Sequence, residues 1–267
     1  MLIFTLNAAS GLAQFGNMLY MDPNDSTENV APPALDTSAY PSIRRRIQDQ
    51  SFFIKLDTNN IDAYIRRAML RFQMADFAGS IQDYTKILKN MPNSTEGFSN
   101  RGMAYCMLKN FDASISDMNR ALAITPDPMS YKLRAVVKIY KKDYSAAISD
   151  LDTAINMSPD YADAYSCRAG AYVKMKKYNE AVEDYNKAIF RAPQDWINFC
   201  GRSEAKLYLK DYKGVIDDCN KVLELNPTFE EYHFFEDLGL SYENIGDKTN
   251  AKLFKDKSIA LKKKATY

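Results

Sequence analysis

The sequence is poor in the residues from which most enzymes build an active site. Its one histidine, His233, excludes a multi-histidine metal site and argues against a histidine-based nucleophile relay. The ten glycines are scattered and form no phosphate-binding loop. The four cysteines contain no CxxC pair, which indicates free thiols; they are Cys106, Cys167, Cys200 and Cys219. We therefore predict no catalytic, cofactor or metal site, no enzyme activity and no small-molecule substrate.

The balance of charge excludes further classes of partner. The chain has 35 basic and 34 acidic residues, and its formal net charge of +1 does not draw it as a whole to nucleic acid. The apolar run at the N-terminus is shorter than the roughly 20 residues that a transmembrane helix needs, so we predict no integral membrane span. The hydrophobic content of 46% is sufficient for a folded core.

The N-terminal region differs from everything that follows it. Residues 2–13 are apolar and end in small residues, as do the hydrophobic region and cleavage site of a secretory signal, although no Lys or Arg precedes them. We predict that residues 1–14 are a signal peptide that exports the chain, to the periplasm in a bacterium. The alternative is an apolar arm packed on the rest of a cytoplasmic protein. Residues 15–41 are rich in Asp, Asn, Ser and Pro, which predicts a linker.

A repeat dominates the rest of the chain. The stretches "KKYNEAVEDYNKAIFRAP" and "KDYKGVIDDCNKVLELNP" end in Pro193 and Pro227, and similar stretches end in Pro92, Pro126 and Pro159. The intervals between these prolines are 34, 33, 34 and 34 residues, a period that is typical of stacked helical hairpins. Each unit contains two amphipathic stripes joined by a short turn, and its proline ends the second stripe. The pattern predicts two antiparallel helices in each unit.

Small residues recur at one position of each helix, where they would let the two backbones approach closely. The first helices carry Ala68, Gly102, Ala135, Ala169, Ser203 and Gly239, and the second helices carry Ser80, Ser114, Ala147, Ala181, Val215 and Ala251. Aromatic residues recur beside them. This order of aromatic residues, small residues and proline resembles the tetratricopeptide repeat and covers residues 61–261. The resemblance implies an all-α fold, a right-handed α-solenoid of stacked antiparallel helical hairpins.

The resemblance also divides the chain. We predict a capping helix that forms half a repeat in residues 42–60, five full repeats in residues 61–229, and a degenerate sixth repeat with a basic C-terminal helix in residues 230–267. With the apolar N-terminus, the chain resembles exported bacterial members of this family.

Two charged positions recur and form a ladder along the repeats. The basic members, on the first helices, are Arg67, Arg101, Arg134, Arg168 and Arg202. The acidic members, on the second helices, are Asp83, Asp117, Asp150, Asp184 and Asp218. We interpret the ladder as partly buried salt bridges that fix the stacking of the helices. The sixth unit lacks both residues, which favours pairing within a repeat, whereas Asp49 precedes Arg67 without an Arg of its own, which favours pairing between repeats. The sequence leaves both arrangements open.

In the family that the chain resembles, the first helices line a concave groove. The matching positions here are Ile65, Met69, Phe72, Met103, Met107, Lys132, Val136, Ile139, Tyr140, Val173, Lys174, Glu204, Leu207 and Tyr208. This surface is largely apolar and contains adaptable methionines, which is typical of protein-interaction sites. Of the Lys, Asn and Arg residues with which some members of the family clamp a C-terminal carboxylate, only Asn100 is matched. We therefore predict a non-catalytic scaffold that binds a protein or peptide segment in this groove. The alternative is a permanent structural subunit of a larger assembly, for example in the cell envelope.

Overall fold

The computed structural model describes residues 40–265. The predicted signal peptide of residues 1–14 lies outside them, as does the predicted linker of residues 15–41 except for its last two residues, which begin the first helix. The described residues form thirteen α-helices and no strand, which confirms the all-α prediction. The helices are α1 Tyr40–Leu56, α2 Ile61–Gln73, α3 Phe77–Asn90, α4 Thr95–Met107, α5 Phe111–Ile124, α6 Pro128–Tyr140, α7 Tyr144–Met157, α8 Ala162–Lys174, α9 Tyr178–Arg191, α10 Trp196–Tyr208, α11 Tyr212–Leu225, α12 Tyr232–Asn244 and α13 Lys248–Ala265.

The chain divides into two compact units, Met1–Met157 and Ser158–Tyr267. In the described part of the first unit, α1 packs on α2, and the hairpins α2–α3, α4–α5 and α6–α7 follow. The second unit contains the hairpins α8–α9, α10–α11 and α12–α13. Within each unit the second helix of one hairpin packs on the first helix of the next, as in α3 with α4 and in α9 with α10. The predicted stacking of antiparallel hairpins is therefore confirmed.

Short polar residues cap the N-termini of several helices. The side chain of Asn60 accepts a hydrogen bond from the Ala63 amide at 3.0 Å, and Ser94 accepts one from the Gly97 amide at 3.0 Å. Each cap satisfies an amide that has no partner within the first turn of the helix. Because Asn60 caps α2, it belongs to the first full repeat, and α1 ends at Leu56, before the boundary at residue 60 that the sequence predicted.

The small residues that recur in both helices lie where the helices of a hairpin cross. Ala68 and Ala169 are completely buried in the first helices, as are Ser114 and Ala181 in the second helices. At Gly102 a Cβ atom would lie 3.0 Å from Cε of Met118 and 3.2 Å from the carbonyl oxygen of Ser114. The close approach of the backbones therefore limits these positions to small side chains.

The turn inside each hairpin contains one residue in the left-handed conformation. Gly246 (φ +88) occupies this position in the last hairpin. The other five turns contain a residue with a Cβ atom at φ between 57 and 64: Ala75, Lys109, Lys142, Lys176 and Lys210. The left-handed conformation strains residues that have a Cβ atom and does not strain glycine.

Substitution of a turn lysine by glycine is expected to stabilise the protein. Lys176→Gly should raise the free energy of unfolding by about 0.5–1 kcal/mol, because glycine adopts the left-handed conformation without strain. The control is Lys174→Gly in the last turn of α8, which should lower it by about 0.5–1 kcal/mol because glycine weakens a helix. Urea unfolding measures the free energy of unfolding of both variants. A loss of stability in Lys176→Gly would contradict the assignment of strain to this turn.

The sixth hairpin replaces the charged ladder by apolar packing. Leu238, completely buried, stands at the position of the ladder arginine, and Phe254 stands at the position of the aspartate. The Phe254 ring stacks on Tyr242 at 5.5 Å and on Phe235 at 6.2 Å between ring centroids. The hairpin thus keeps the geometry of a repeat without its ion pair.

Candidate functional site

Within each unit one pair of first helices from successive hairpins is in direct contact. In the first unit α4 packs directly on α6, and in the second unit α8 packs directly on α10. Within the described part of either unit, no two second helices of successive hairpins pack as extensively. Each unit therefore bends towards its first helices, and these helices form its inner side.

The inner side of the first unit holds nine of the predicted groove residues. Met69 is exposed. Five others are half-buried: Ile65, Phe72, Met107, Ile139 and Tyr140. The remaining three, Met103, Lys132 and Val136, are buried. The hydroxyl oxygen of Tyr140 is also shielded from solvent. Packing between neighbouring helices thus removes part of the predicted surface and leaves an apolar remainder.

One residue of this side was missing from the sequence prediction. Met129 is exposed and stands at the start of α6, in the same register as Asp62 of α2 and Glu96 of α4. The repeat register was the signal that could have found it. We call the accessible apolar residues of the inner side of the first unit the methionine face, which comprises Ile65, Met69, Phe72, Met107, Met129, Ile139 and Tyr140.

The chain offers matched controls for the methionine face. Met69 and Met129 are 42% and 39% exposed, and Met91 and Met157 are each 47% exposed. The latter two belong to no first helix: Met91 directly follows the second helix α3, and Met157 is the last residue of the second helix α7. Four methionines of similar exposure therefore differ in whether they lie on a first helix or at the end of a second helix.

The second unit contains the other five predicted groove residues. Tyr208 is exposed and stacks on Tyr178, with 4.5 Å between the ring centroids and 9° between the planes. Lys174, Glu204 and Leu207 are half-buried, and Val173 is buried. This side is more polar than the methionine face.

A cluster of carboxylates lies at the junction of the fifth and sixth hairpins. Burial raises the pKa of Asp237 on α12 to about 7, and the negative charges of Glu204, Glu236 and Glu231 raise it further in the same direction. Glu231 also caps α12, where it accepts a hydrogen bond from the Phe234 amide at 2.7 Å. No other hairpin carries an acid at the register position of Asp237.

The ladder pairs each arginine with the aspartate 16 residues later, within the same hairpin. The shortest distances between guanidinium nitrogen and carboxylate oxygen are 2.7 Å for Arg67–Asp83, 2.8 Å for Arg101–Asp117, 2.6 Å for Arg134–Asp150, 2.6 Å for Arg168–Asp184 and 2.5 Å for Arg202–Asp218. In the second repeat, Nε of Arg101 donates to Oδ2 of Asp117 and Nη2 donates to Oδ1, so that the pair is bidentate. The hydrogen bond to the carboxylate is the main cause that raises the pKa of Arg101.

The same arginines also reach the preceding helix. Nη1 of Arg67 donates to Ser51 Oγ at 3.1 Å, and Nη1 of Arg101 donates to Thr85 Oγ1 at 3.2 Å. Nη1 of Arg134 donates to Asn119 Oδ1 at 2.7 Å. The ion pair therefore forms within a repeat, and the third contact of the guanidinium joins that repeat to the one before it.

Only some of the ladder aspartates have a second cation within 3 Å. Lys138 Nζ lies 2.6 Å from Asp150 Oδ2, and the corresponding Arg71 and Lys206 lie 2.9 Å from their aspartates. The second and fourth repeats carry Tyr105 and Tyr172 at this position. Among the described residues, Asp117 has Arg101 as its one ion-pair partner.

The described residues contain no cluster of His, Cys, Asp and Glu that could hold a metal ion. Burial raises the pKa of the Cys106 thiol to about 12, and it raises the pKa of Cys200 and Cys219 as well, so that these sulfurs stay protonated near neutral pH. No helix in residues 40–265 combines the length and the apolar character that a membrane crossing requires.

The comparisons with known proteins agree with this architecture. A sequence model described as the tetratricopeptide repeat matches residues 162–195. A search of curated proteins finds no match. Three similar solved structures show the fold at low sequence identity. A tetratricopeptide repeat protein from Parabacteroides merdae is 17% identical, with 85% of this chain and 89% of that chain covered and a TM-score of 0.64. Residues 41 to the end of MamA from Desulfovibrio magneticus are 17% identical, with 64% of this chain and 96% of that chain covered and a TM-score of 0.56. A chain of the Cut9–Hcn1 hetero-tetramer of the APC/C is 13% identical, with 95% of this chain and 49% of that chain covered and a TM-score of 0.69.

Helical hairpins that repeat every 33 or 34 residues define a class of protein-interaction scaffolds. Residues 162–195 match the tetratricopeptide repeat, and the described residues have the fold of tetratricopeptide-repeat proteins, a fold that typically binds other proteins.

Proposed function

We propose that the methionine face binds a segment of a partner protein and that the chain acts as a scaffold for this partner. The observation that carries the proposal is the concentration of accessible apolar side chains on the inner side of the first unit, from Met69 on α2 to Met129 on α6. Exposed apolar surface often marks a protein-interaction site. Methionine adapts its shape to a partner more readily than branched side chains do.

A second candidate function is a permanent place in a larger assembly. Helix α1 corresponds to the second helix of a repeat, and the described residues contain no first helix that precedes it. Phe53 of α1 is 46% exposed at a position that is buried in each full repeat. Phe52 and Leu56 are exposed beside it. An assembly that covered this end of the first unit would shield all three residues from water.

Quantitative capture of partners from the native cell, with the full chain as bait, distinguishes the two functions. We expect the double variant Met69→Gln, Met129→Gln to capture at least about fivefold less of a partner, which corresponds to about 1 kcal/mol of binding free energy. The double variant Met91→Gln, Met157→Gln should retain it, because these residues lie elsewhere at matched exposure.

A partner that survives substitution of the methionine face but is lost from Phe53→Gln would support the assembly and contradict binding at the methionine face. Equal retention by all three variants would contradict both candidates. Circular dichroism melting of each variant checks that the fold is unchanged.

A further inference from the structure

We propose that α1 pairs in antiparallel orientation with α1 of a second copy of this chain, so that Arg46 of each copy forms an ion pair with Asp49 of the other. The inference goes beyond the proposed function, because it concerns the side of α1 that no other described helix covers and not the methionine face. It follows from the exposure of this side, from the size of one residue on it, and from charges that complement each other.

One side of α1 is exposed, although the corresponding side of the next second helix is buried. Arg46, Asp49 and Phe53 are spaced by three and four residues, so they lie on one side of α1, and all three are exposed. The residues at the same positions of α3 are at most 2% exposed, because α2 packs on them. These residues of α3 are Ser80, Asp83 and Ile87. The structure therefore describes a second helix whose first helix is replaced by solvent.

The size of Arg46 excludes a partner that packs as the first helix of a repeat does. All six full hairpins have Ser, Ala or Val at this position. The helices approach closely there: a Cβ atom at Gly102 of α4 would lie 3.2 Å from the carbonyl oxygen of Ser114, which stands at this position in α5. An arginine would overpack such a crossing. The occupant therefore lies farther from α1 and contacts it through long side chains.

Arg46 and Asp49 carry opposite charges and have no ion-pair partner among the described residues. Asp49 stands at the ladder position, and no ladder arginine precedes it in residues 40–48. Neutralising both charges requires a surface that presents an acid and a base at the same spacing. A second copy of α1 is such a surface.

Two-fold symmetry sets the register of the pair. In a two-fold interface, residue i of one copy contacts residue j of the other, and the same contact occurs a second time. With the axis between residues 47 and 48, Arg46 of each copy lies opposite Asp49 of the other, which gives two ion pairs. Parallel pairing in register would instead place equal charges opposite each other, which is unfavourable. The charges therefore select the antiparallel orientation.

The same register gives the exposed aromatic residues of α1 a contact. Phe52 and Phe53, which are 57% and 46% exposed, would lie opposite Ile43 and Ser42 of the other copy. Their burial favours association. A pair of helices of 17 residues nevertheless buries less than the roughly 1,200–2,000 Å² of a standard interface. We therefore expect a dimer that dissociates on dilution in the micromolar range.

Sedimentation velocity of the full chain, at concentrations between about 1 and 100 µM, tests the inference. Arg46→Asp and Asp49→Arg should each raise the dissociation constant of the dimer at least about tenfold, because each places equal charges opposite each other. An equimolar mixture of the two variants, with one of them fluorescently labelled, should dimerise to within about threefold of the wild type. In the mixed pair both contacts again join opposite charges.

Arg44 provides the matched control, because it is exposed and lies two residues earlier, on the far side of α1 from Arg46. Arg44→Asp changes the net charge as Arg46→Asp does and should leave the dimer unchanged within about twofold. Its mixture with Asp49→Arg should remain at least about fivefold weaker than the mixture that contains Arg46→Asp. Circular dichroism melting checks that each variant is folded.

Three results would overturn the inference. A wild type that stays monomeric at about 100 µM would show that a different molecule covers α1. A dimer that Arg46→Asp does not weaken would lie on another surface. Equal dimerisation of the two mixtures would show that net charge, and not the pairing of Arg46 with Asp49, drives association. Met69→Gln with Met129→Gln should leave the dimer unchanged, so that each of these failures is separate from a failure of the methionine face to bind a partner.

Discussion

Arg101→Leu is expected to lower the free energy of unfolding by about 3–5 kcal/mol, because it leaves the buried carboxylate of Asp117 without a counter-charge. Asp117 is buried, and both of its oxygens accept hydrogen bonds from Arg101, at 2.8 Å each. Leucine matches the aliphatic part of the arginine side chain, so that the loss of the ion pair dominates the effect. Urea unfolding followed by circular dichroism measures the change.

Two further variants make this test specific. Arg134→Leu should cost less than Arg101→Leu, because Lys138 remains 2.6 Å from Asp150 and still neutralises it. Arg66→Leu, an exposed neighbour of the ladder, should change stability by less than about 0.5 kcal/mol. Equal costs for Arg101→Leu and Arg66→Leu would show that the ladder is solvated and does not stabilise the stacked helices.

The second large effect concerns pH. The pKa of Asp237 is raised from an ordinary value of 3.8 to about 7, mainly by burial, so that the folded chain holds a proton which the unfolded chain releases between these values. The stability that this proton contributes is complete below about pH 4 and is lost as the pH rises through about 7. A difference of about three pKa units corresponds to up to about 4 kcal/mol.

Asp237→Asn should therefore remove this part of the pH dependence and make the protein more stable than the wild type at pH 8. Thermal unfolding at pH 4.5, 6 and 8 measures the difference between the two proteins. The control is Asp256→Asn, an exposed carboxylate of α13, which should leave the pH dependence unchanged. A wild type and an Asp237→Asn variant with parallel pH profiles would contradict the burial of an uncompensated carboxyl group at this junction.

The repeat made the architecture predictable from the sequence, because each hairpin repeats the same local pattern and contacts mainly its neighbours. The pairing of the ladder was not predictable, because Asp49 favoured pairing between repeats whereas the sixth unit favoured pairing within a repeat. The structure explains the ambiguity: the guanidinium of Arg101 binds Asp117 in its own repeat and Thr85 in the preceding one. In the sixth unit, Leu238 stands at the position of the arginine and is completely buried.

The sequence also could not predict which residues of the candidate site are buried. The register assigned Lys132, Val136 and Met69 to one side, but the approach of neighbouring helices buries the first two and leaves Met69 exposed. The shifted pKa of Asp237 depends on Glu204, which lies 33 residues away in the chain and belongs to the preceding hairpin. Burial and proximity of this kind arise from packing between repeats, which a position within one repeat does not specify.

Binding at the methionine face is tested most directly by site-specific photo-cross-linking. A photoreactive amino acid placed at Met69, on the face, is compared with the same amino acid at Met91, at the end of a second helix and of similar exposure. Irradiation of the assembled complex in the native cell should join a partner protein to position 69 and not to position 91. Cross-links of equal yield from both positions, or from position 91 alone, would contradict binding of a partner at the methionine face.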